Sequence, residues 1–334
     1  MTMRRGGRLA VLAVAALATI GVARAADTDA GWFIFLDAAY AAPQNTDEVL
    51  AVNQEFGPTE TQSTIRTNFH SDFAGRLGFG YKWKNGQSIS VQYWKFSADE
   101  RTQADGPAGG YMNFAIGPEA YNSYGPTAFG YPGSLDITSK IKAETLDVTW
   151  GQDYNPTANL VLGWSLGLRY ASFEENEKGT YYIYDTTDAY YSYGAHKQNR
   201  GGMFGLKAGM RLTRNFGKTF AVTSGLGFSF LNGEVQSTSG LDIPANSIGT
   251  EFGVSPTLAS ETDKDRSGLI RDFDLGCYWR IADDHFRVGL GWEQSSWDGV
   301  PQDLLRNNVN SILNVQERNN VTFSSFKIGF SGRF

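Results

Sequence analysis

The chain has 334 residues, a formal net charge of −6 and one cysteine. This acidic balance disfavours a nucleic-acid-binding surface. A single cysteine excludes both an intrachain disulfide and a four-ligand cysteine metal site. The composition is rich in glycine (39), phenylalanine (22), tyrosine (16) and tryptophan (8). Such a composition is typical of many strands and tight turns with interfacial aromatic side chains.

The N-terminus has the three regions of a secretory signal peptide. Residues 1–8 carry three arginines and no acid, residues 9–23 are a mainly apolar run, and Ala23-Arg24-Ala25 is a small-x-small cleavage site. A retained anchor is the alternative, but the run is too short to favour a membrane span. We predict cleavage after Ala25, which leaves residues 26–334 as one domain. The removed segment carries four arginines and no acid, so the formal net charge becomes −10.

The mature chain is predicted to form about ten β-strands in which apolar and polar residues alternate. A period of two places one set of side chains on each face of a strand. The predicted strands are residues 31–40, 71–84, 87–97, 137–150, 158–173, 201–212, 218–231, 266–280, 285–293 and 323–334. The faces of strand 87–97 are less clean, since Tyr93 opposes Trp94 and Phe96.

Short and long connections alternate between these strands. The short ones lie near Asn85, Asn155, Asn215 and Asp283, and the others exceed twenty residues. Outer-membrane barrels have short periplasmic turns and longer extracellular loops. We therefore predict an all-β fold, a single antiparallel transmembrane β-barrel with both termini periplasmic and roughly eight to twelve strands. A soluble β-sandwich is the alternative, although it explains neither terminus nor the alternation of turns and loops.

The long connections are predicted to be polar extracellular loops. They cover residues 41–70, 98–136, 174–200, 232–265 and 294–320. Residues 111–116 or 249–254 could hide a further pair of strands, so the strand number stays open in this region of the sequence.

The last predicted strand ends on an aromatic residue. Its apolar face carries Phe326, Ile328, Phe330 and Phe334, and its polar face carries Lys327 and Arg333. An unprotected apolar edge strand would pair with other chains, whereas a closed barrel pairs its last strand with its first. We interpret the four apolar residues as an assembly signal read by barrel-assembly machinery.

Three segments resemble the Legionella-type major outer-membrane protein family of pore-forming barrels. They are residues 31–38 (GWFIFLDA), 166–171 (LGLRYA) and 326–334 (FKIGFSGRF). The resemblance implies a barrel that conducts solutes across the outer membrane of a Gram-negative-type bacterium, and it carries over no catalytic residue. The cysteines that could cross-link members of that family are unmatched apart from Cys277. That residue lies on an apolar strand face, which favours a buried or lipid-facing side chain.

The polar faces of the strands would surround the lumen if the apolar faces meet lipid. The predicted pore-lining residues are Arg76, Lys82, Asp147, Arg169, Lys207, Arg211, Asp272, Asp274, Arg280, Arg287, Glu293, Lys327 and Arg333. Basic residues are in excess, and basic rings favour anions. We therefore expect a porin-like channel for passive diffusion of small hydrophilic solutes, with a mild anion preference. The alternative is that these charges pair across a filled lumen, which would leave a non-conducting structural or adhesive barrel.

No enzymatic activity, metal or cofactor is expected. A lipase or deacylase at the outer leaflet would need a serine beside an oriented histidine. His285 lies at the periplasmic end, His196 in a predicted loop and His70 at the outer rim, next to Ser71. Residues 263–268 partly resemble a calcium loop without its closing glutamate, and an acidic surface loop is the preferred interpretation.

Six tyrosines between positions 181 and 193 form a cluster in a predicted loop. Tyrosine gives rigid, amphipathic contact area, so an adhesin or receptor surface is one interpretation. A loop that packs on itself or folds into the mouth as a constriction is the preferred one. Outer-membrane lipids, lipopolysaccharide and small solutes are the other expected partners, and a homo-oligomer is left open.

Overall fold

The structure is a computed structural model that describes residues 30–44, 46, 49–55, 61–106, 110–114, 133–184, 190–242, 257–281, 285–300, 304 and 320–334. The predicted signal peptide lies outside these residues. The strands are β1 (Gly31–Gln44), β2 (Val49–Glu55), β3 (Thr61–Arg66), β4 (Asp72–Lys82), β5 (Gln87–Asp105), β6 (Gly110–Phe114), β7 (Gly133–Thr157), β8 (Leu160–Tyr184), β9 (Tyr190–Phe216), β10 (Phe220–Asp242), β11 (Thr257–Ile281), β12 (Phe286–Asp298) and β13 (Asn320–Arg333). Across the described ranges, no helix is long and apolar enough to cross a membrane.

Ten of the described strands form a closed antiparallel barrel, in the order β1-β13-β12-β11-β10-β9-β8-β7-β5-β4. Closure is made by β13 against β1, with Phe326 opposite Tyr40. The pairing continues to Phe334, whose N–H donates to the Trp32 carbonyl (2.9 Å) and whose carbonyl accepts from the Trp32 N–H (3.2 Å). The predicted barrel and its closing strand are therefore confirmed.

Tight turns join the strands at one end of the barrel. Gly86 and Gly217 adopt φ values of 83° and 73° in two of them, a left-handed region that glycine tolerates without a steric cost. The short connection predicted near Asn155 is present, but it lies at residues 158–159, because β7 continues through a register shift to Thr157. The predicted turn at Asp283 lies outside the described residues. Short turns lie on the periplasmic side of such barrels, so we refer to this end as the periplasmic end.

The strands reach much further at the opposite, outer end than predicted. Most of residues 174–200, predicted to be a loop, continues β8 to Tyr184 and begins β9 at Tyr190. In the same way β10 extends to Asp242, and β11 begins at Thr257. The predicted loops at this end were therefore too long, and residues 249–254 lie outside the described residues.

A change of polarity along each strand explains this error. On β8, outward-facing Leu168 and Tyr170 are exposed and apolar, whereas outward-facing Glu174 further along is polar. The inward face changes in the opposite sense, from Arg169 to buried Phe173. A strand in lipid has its apolar side chains outside, and a strand of a barrel in water has them inside. The loss of outward apolar residues marks the point where the strand leaves the membrane, not the point where it ends.

Part of the predicted loops forms a small separate sheet in the order β3-β2-β6. Strand β6 of this sheet overlaps residues 111–116, one of the two segments predicted to contain a possible further strand. It pairs with β2 rather than with a strand of the barrel. The segment after β3 enters the outer end of the barrel. There the Thr67 hydroxyl donates to Glu177 on β8 (3.3 Å), and Phe69 joins the apolar core.

Candidate site in the barrel lumen

Contacts between strands that are not neighbours identify the inward-facing side chains. Arg76 on β4 lies 2.7 Å from Glu293 on β12, and Arg169 on β8 lies 2.7 Å from Asp272 on β11. Such pairs can meet only across the barrel interior. All thirteen residues predicted to line the pore lie on the inward side of their strands. Each is an even number of residues away from one of these four on the same strand, or belongs to the same face of a strand paired with it in register. Whether they line a conducting pore is a separate question.

Eight charged residues form a layer across the middle of the lumen, which we call the ionic layer. Its members are Asp37, Arg76, Asp147, Arg169, Lys207, Asp272, Glu293 and Lys327. On one side, Glu293 accepts hydrogen bonds from Arg76 (2.7 Å) and Lys327 (3.0 Å). Arg76 also donates to Asp37 at 3.2 Å.

Arg169 is the centre of the other side of the ionic layer. Its guanidinium donates two hydrogen bonds to Asp147 (2.6 and 2.8 Å) and a third to Asp272 (2.7 Å). Lys207 donates to the same Asp147 carboxylate at 2.6 Å. The layer thus holds four cations and four carboxylates, all within ion-pair distance of a partner, which offsets the cost of removing them from water.

An aromatic cluster closes the lumen on the outer side of the ionic layer. We call Trp94, Phe96, Trp297 and Phe323 the aromatic seal. The Phe323 ring lies 5.5 Å from Trp94, 5.2 Å from Phe96 and 5.6 Å from Trp297, measured between ring centroids. Further buried apolar side chains surround the seal, among them Ile141, Ala143, Ala171, Phe173, Met203, Leu231, Ile270 and Val321.

The aromatic seal is tied to the ionic layer by a hydrogen-bonded chain. The Trp297 indole N–H donates to the Ser295 hydroxyl (2.9 Å), which in turn donates to Asp272 (2.7 Å). Because a buried indole N–H needs a partner, this chain allows a tryptophan to fill the centre of the barrel.

Some side chains of the lumen below the seal are accessible to water, whereas those of the seal are not. The exposed fraction is 58% for the Arg211 side chain, 29% for Asp272 and 4% for Arg169. It reaches 0% at Phe96 and Trp297. The described lumen is therefore a vestibule that opens towards the periplasm and is closed by the aromatic seal.

Basic side chains surround the periplasmic opening of this vestibule. Asp153 binds both Lys82 (2.6 Å) and Arg211 (3.0 Å). Arg280 lies directly opposite Arg287 in the pairing of β11 with β12, and the Tyr278 ring is 5.4 and 5.0 Å from their respective guanidinium carbons.

The remaining predicted positions lie outside the lumen. Residues 263–268 belong to strand β11 rather than to a calcium loop, and no group of metal-ligating side chains suited to a metal ion occurs in the described ranges. The tyrosine cluster lies at the ends of β8 and β9, where Tyr181 pairs with Tyr193 and Tyr184 with Tyr190. This part of the chain is an extended hairpin and not a loop. Cys277 lies on the outward face of β11, between Leu275 and Trp279.

Ion pairs also occur on the outer surface of the projecting strands. Arg101 donates two hydrogen bonds to Asp136 (2.8 and 2.5 Å), and Gln103 donates a third. These bonds, those from Arg101 first, lower the pKa of the Asp136 carboxyl to about 2. His70 forms a 2.8 Å contact with Glu100 at this end.

The aromatic seal is the part of the site that sequence reasoning missed. Its signal was present in strand 87–97, where Trp94 and Phe96 oppose Tyr93 and its apolar neighbours. Large apolar residues on both faces of a strand indicate that its inward face is packed rather than wet.

A family model described as "Legionella pneumophila major outer membrane protein precursor" matches residues 25–331. The chain belongs to this family. Membership and the closed barrel together place the protein in the outer membrane, and the resemblance seen in the sequence is confirmed.

Solved structures of outer-membrane barrels are similar to the chain in overall layout. The outer membrane protease OmpT from Escherichia coli is 11% identical, with 91% of this chain and 97% of that chain covered and a TM-score of 0.46. A major outer membrane protein from Thermus thermophilus is 12% identical, with 92% and 100% covered and a TM-score of 0.35. A comparison with curated protein sequences finds no match.

Proposed function

We propose that this outer-membrane barrel is closed to solutes in the described conformation and has a structural or adhesive role at the cell surface. The observation that carries the proposal is the aromatic seal, whose Phe96 and Trp297 have no water-accessible surface. A passage for hydrophilic solutes would leave the side chains around it wet. The balanced ionic layer below the seal supports the same conclusion, because its charges are satisfied by one another.

The projecting half of the barrel supports a role at the cell surface. Beyond Tyr170, strand β8 continues to Tyr184, about 45 Å of further strand. Its outward face there is polar, and its inward face is buried, with Ala171 and Phe173 in the apolar core and Glu175 and Glu177 further out. Strands β8 and β9 are paired as far as Tyr184 and Tyr190 and carry tyrosines at their outer ends, and tyrosine is a residue that suits contact with a surface partner.

We also propose that the protein has no enzymatic activity. His70 contacts Glu100, and its side chain is 75% exposed. Acyl transfer needs a nucleophile bound to the histidine and a water-excluded oxyanion site. Ser71 follows His70 in the chain, but no hydrogen bond between their side chains supports such a pair among the described contacts.

A porin-like channel for small hydrophilic solutes, mildly anion-preferring, is the second candidate. It is favoured by the wet, basic vestibule, which would attract anions from the periplasm. Conduction would require the four side chains of the aromatic seal to move apart. Outer-membrane lipids, lipopolysaccharide and barrel-assembly machinery remain proposed partners, supported by the exposed aromatic side chains on the lipid-facing surface, such as Tyr40 and Phe334.

Conductance of the refolded mature chain in a planar bilayer tests the proposal. We expect no channels from the unmodified protein, because the seal leaves no wet path. The double substitution Trp297→Ala with Phe323→Ala should produce channels, since it removes two of the four rings. The matched control is Phe326→Ala with Phe330→Ala, which removes two rings from the lipid-facing side of β13.

Stable single-channel steps from the unmodified protein would overturn the closed barrel and support the porin-like channel. Reversal potentials in a salt gradient would then decide its selectivity. If the seal variant conducted no better than the lipid-facing control, the aromatic rings would not be what closes the lumen.

A further inference from the structure

We propose that a groove on the lipid-facing surface of the barrel binds one acyl chain of lipopolysaccharide, a phosphorylated lipid of the outer leaflet, and that Lys95 binds its phosphate. The proposal deepens the contact with outer-membrane lipids proposed above and rests on it. It depends on the outward face of the strands and not on the aromatic seal, so lipid binding and the closed lumen can fail independently of each other.

The first observation is a concave groove of about 810 Å³, which we call the seam groove because it crosses the pairing of β13 with β1. Its floor is one row of outward side chains that lie opposite each other in register, namely Val222, Cys277, Leu290, Ile328 and Ala38. Its outer wall is the neighbouring row, which contains the rings of Trp292, Phe326, Tyr40 and Phe73. The seam groove is therefore lined by apolar side chains along its length.

Small residues keep the floor low where it approaches β5. Ala38 is followed in register by Gly75 on β4. A Cβ added at Gly75 would meet only the Phe73 ring within 4 Å, at a distance of 3.8 Å. The rings of Tyr40 and Phe73 beside this part of the floor are exposed. The groove runs along the foot of these rings, which suits a long, thin and apolar occupant such as an acyl chain.

The second observation is the direction of the groove. Strands of such a barrel are tilted by roughly 35–45°, so a row in register across them lies obliquely in the membrane. The row begins at Val222, two residues from the periplasmic end of β10 at Phe220. It ends on β5 at Lys95, two residues beyond Tyr93, whose own row includes Tyr170 at the membrane boundary. Six strand spacings of about 4.8 Å make the row roughly 29 Å long. The groove thus descends from the outer headgroup level into the bilayer, as an acyl chain does.

The third observation is a pair of lysines at the outer end of the groove. Lys95 lies directly opposite Gly75, and Lys142 on the next strand is its diagonal neighbour on the outward face. Lys95 forms an ion pair with Glu144 (3.1 Å), and Lys142 forms one with Glu174 (3.4 Å). The two lysine side chains remain 52% and 38% exposed. Because an ammonium has three N–H donors, a phosphate can bind beside the carboxylate.

The headgroup level above the rest of the groove offers no comparable charge. Beyond the row of rings, the next outward side chains described on β12, β13 and β1 are uncharged, namely Gln294, Ser324 and Ala42. Lysines clustered at a membrane surface attract anionic headgroups. A phosphorylated lipid whose chain lies in the seam groove would therefore have its headgroup at the Lys95 end.

The test is retention of lipopolysaccharide without O-antigen by the refolded barrel in a neutral maltoside detergent, measured by native mass spectrometry. We expect saturable binding of one lipid. Lys95→Gln should weaken it roughly fivefold, the loss expected for one lysine at a headgroup. Lys178→Gln is the matched control, because Lys178 is an exposed, outward lysine on β8 that lies outside the groove. It should bind the lipid as the unmodified protein does.

A second pair of variants tests the place of the acyl chain. Ala38→Trp fills the floor of the seam groove and should abolish retention. Ala208→Trp adds the same ring to the lipid-facing side of β9, opposite Phe228, and should leave retention unchanged. Heat-modifiable migration in gel electrophoresis shows whether each variant is folded, and Gly75→Trp replaces Ala38→Trp if the latter is not.

Phosphatidylethanolamine, which has acyl chains but no net charge, is the comparison lipid and should be retained more weakly. Equal retention of the two lipids, or equal losses in Lys95→Gln and Lys178→Gln, would overturn the headgroup site. Equal effects of the two tryptophan substitutions would overturn the groove. Dimers that only Ala38→Trp abolishes would also overturn it, since a second copy would then occupy the groove. Channels from the unmodified protein would overturn the closed lumen and leave lipid binding untouched.

Discussion

Arg169 shows how a single side chain can decide what the lumen does. Sequence reasoning counted it as one of the basic residues that would attract anions to a pore. In the structure its three donated hydrogen bonds end on Asp147 and Asp272, so its charge is already balanced. Asp147 has almost no exposed surface. The residue therefore acts as a brace between β7, β8 and β11.

We predict that Arg169→Met will destabilise the barrel by about 3–5 kcal/mol, because it leaves buried carboxylates with too few partners. Urea unfolding in lipid vesicles, followed by tryptophan fluorescence, measures this change. Arg101→Met is the control, since Arg101 and Asp136 form an exposed pair that contributes little. Equal effects of the two substitutions on the free energy of unfolding would show that the ionic layer does not stabilise the fold.

At the scale of the element, each long strand is divided into two segments of opposite polarity. The lipid-facing segment of β9 has Leu206 and Met210 outside and Lys207 inside. Nearer the outer end, Arg200 is outside and Met203 is inside and buried. The backbone pairing runs through both segments without a break. One continuous strand therefore passes from lipid into water, and the polarity of its two faces is reversed between the two segments.

Spin labels attached to single cysteines should detect this exchange. In a Cys277→Ser background, a label at Leu168→Cys should collide mainly with oxygen dissolved in lipid, and a label at Lys178→Cys mainly with a water-soluble nickel complex. Both positions face outward on β8, so only the depth differs. If the label at position 178 proved lipid-accessible, the membrane boundary would lie further out than Tyr170.

For the whole molecule, closure depends on the meeting of the chain's two ends. Phe334 is paired with Trp32 through two backbone hydrogen bonds, and the register with β1 continues along β13 to Thr322. On the same closing strand, the Lys327 ammonium lies 3.0 Å from Glu293. Lys327→Glu would place two carboxylates together, so we expect this substitution to disturb assembly.

Deletion of Phe334 should slow assembly into the outer membrane, because it removes the final pair of the closing ladder and an exposed interfacial ring. Pulse-chase labelling with heat-modifiable migration as the readout measures the rate. The control is Phe286→Ala, which removes an exposed aromatic ring near the same end but leaves the closing ladder intact. Normal assembly of the deletion variant would remove the main support for the closing residue as an assembly signal.

The sequence by itself determined the lipid-facing parts of the ten barrel strands, their inward and outward faces and the closing strand, because alternation with a period of two is a local property that burial in lipid makes visible. It predicted the inward direction of Arg76, Glu293 and the other charged residues for the same reason. Only the tertiary structure decided which charges meet, since Arg76 and Glu293 are 217 residues apart in the chain. It also decided that Trp94, Trp297 and Phe323 converge to close the lumen. Contacts between strands on opposite walls depend on the barrel's circumference and register, and no local pattern in the sequence records either.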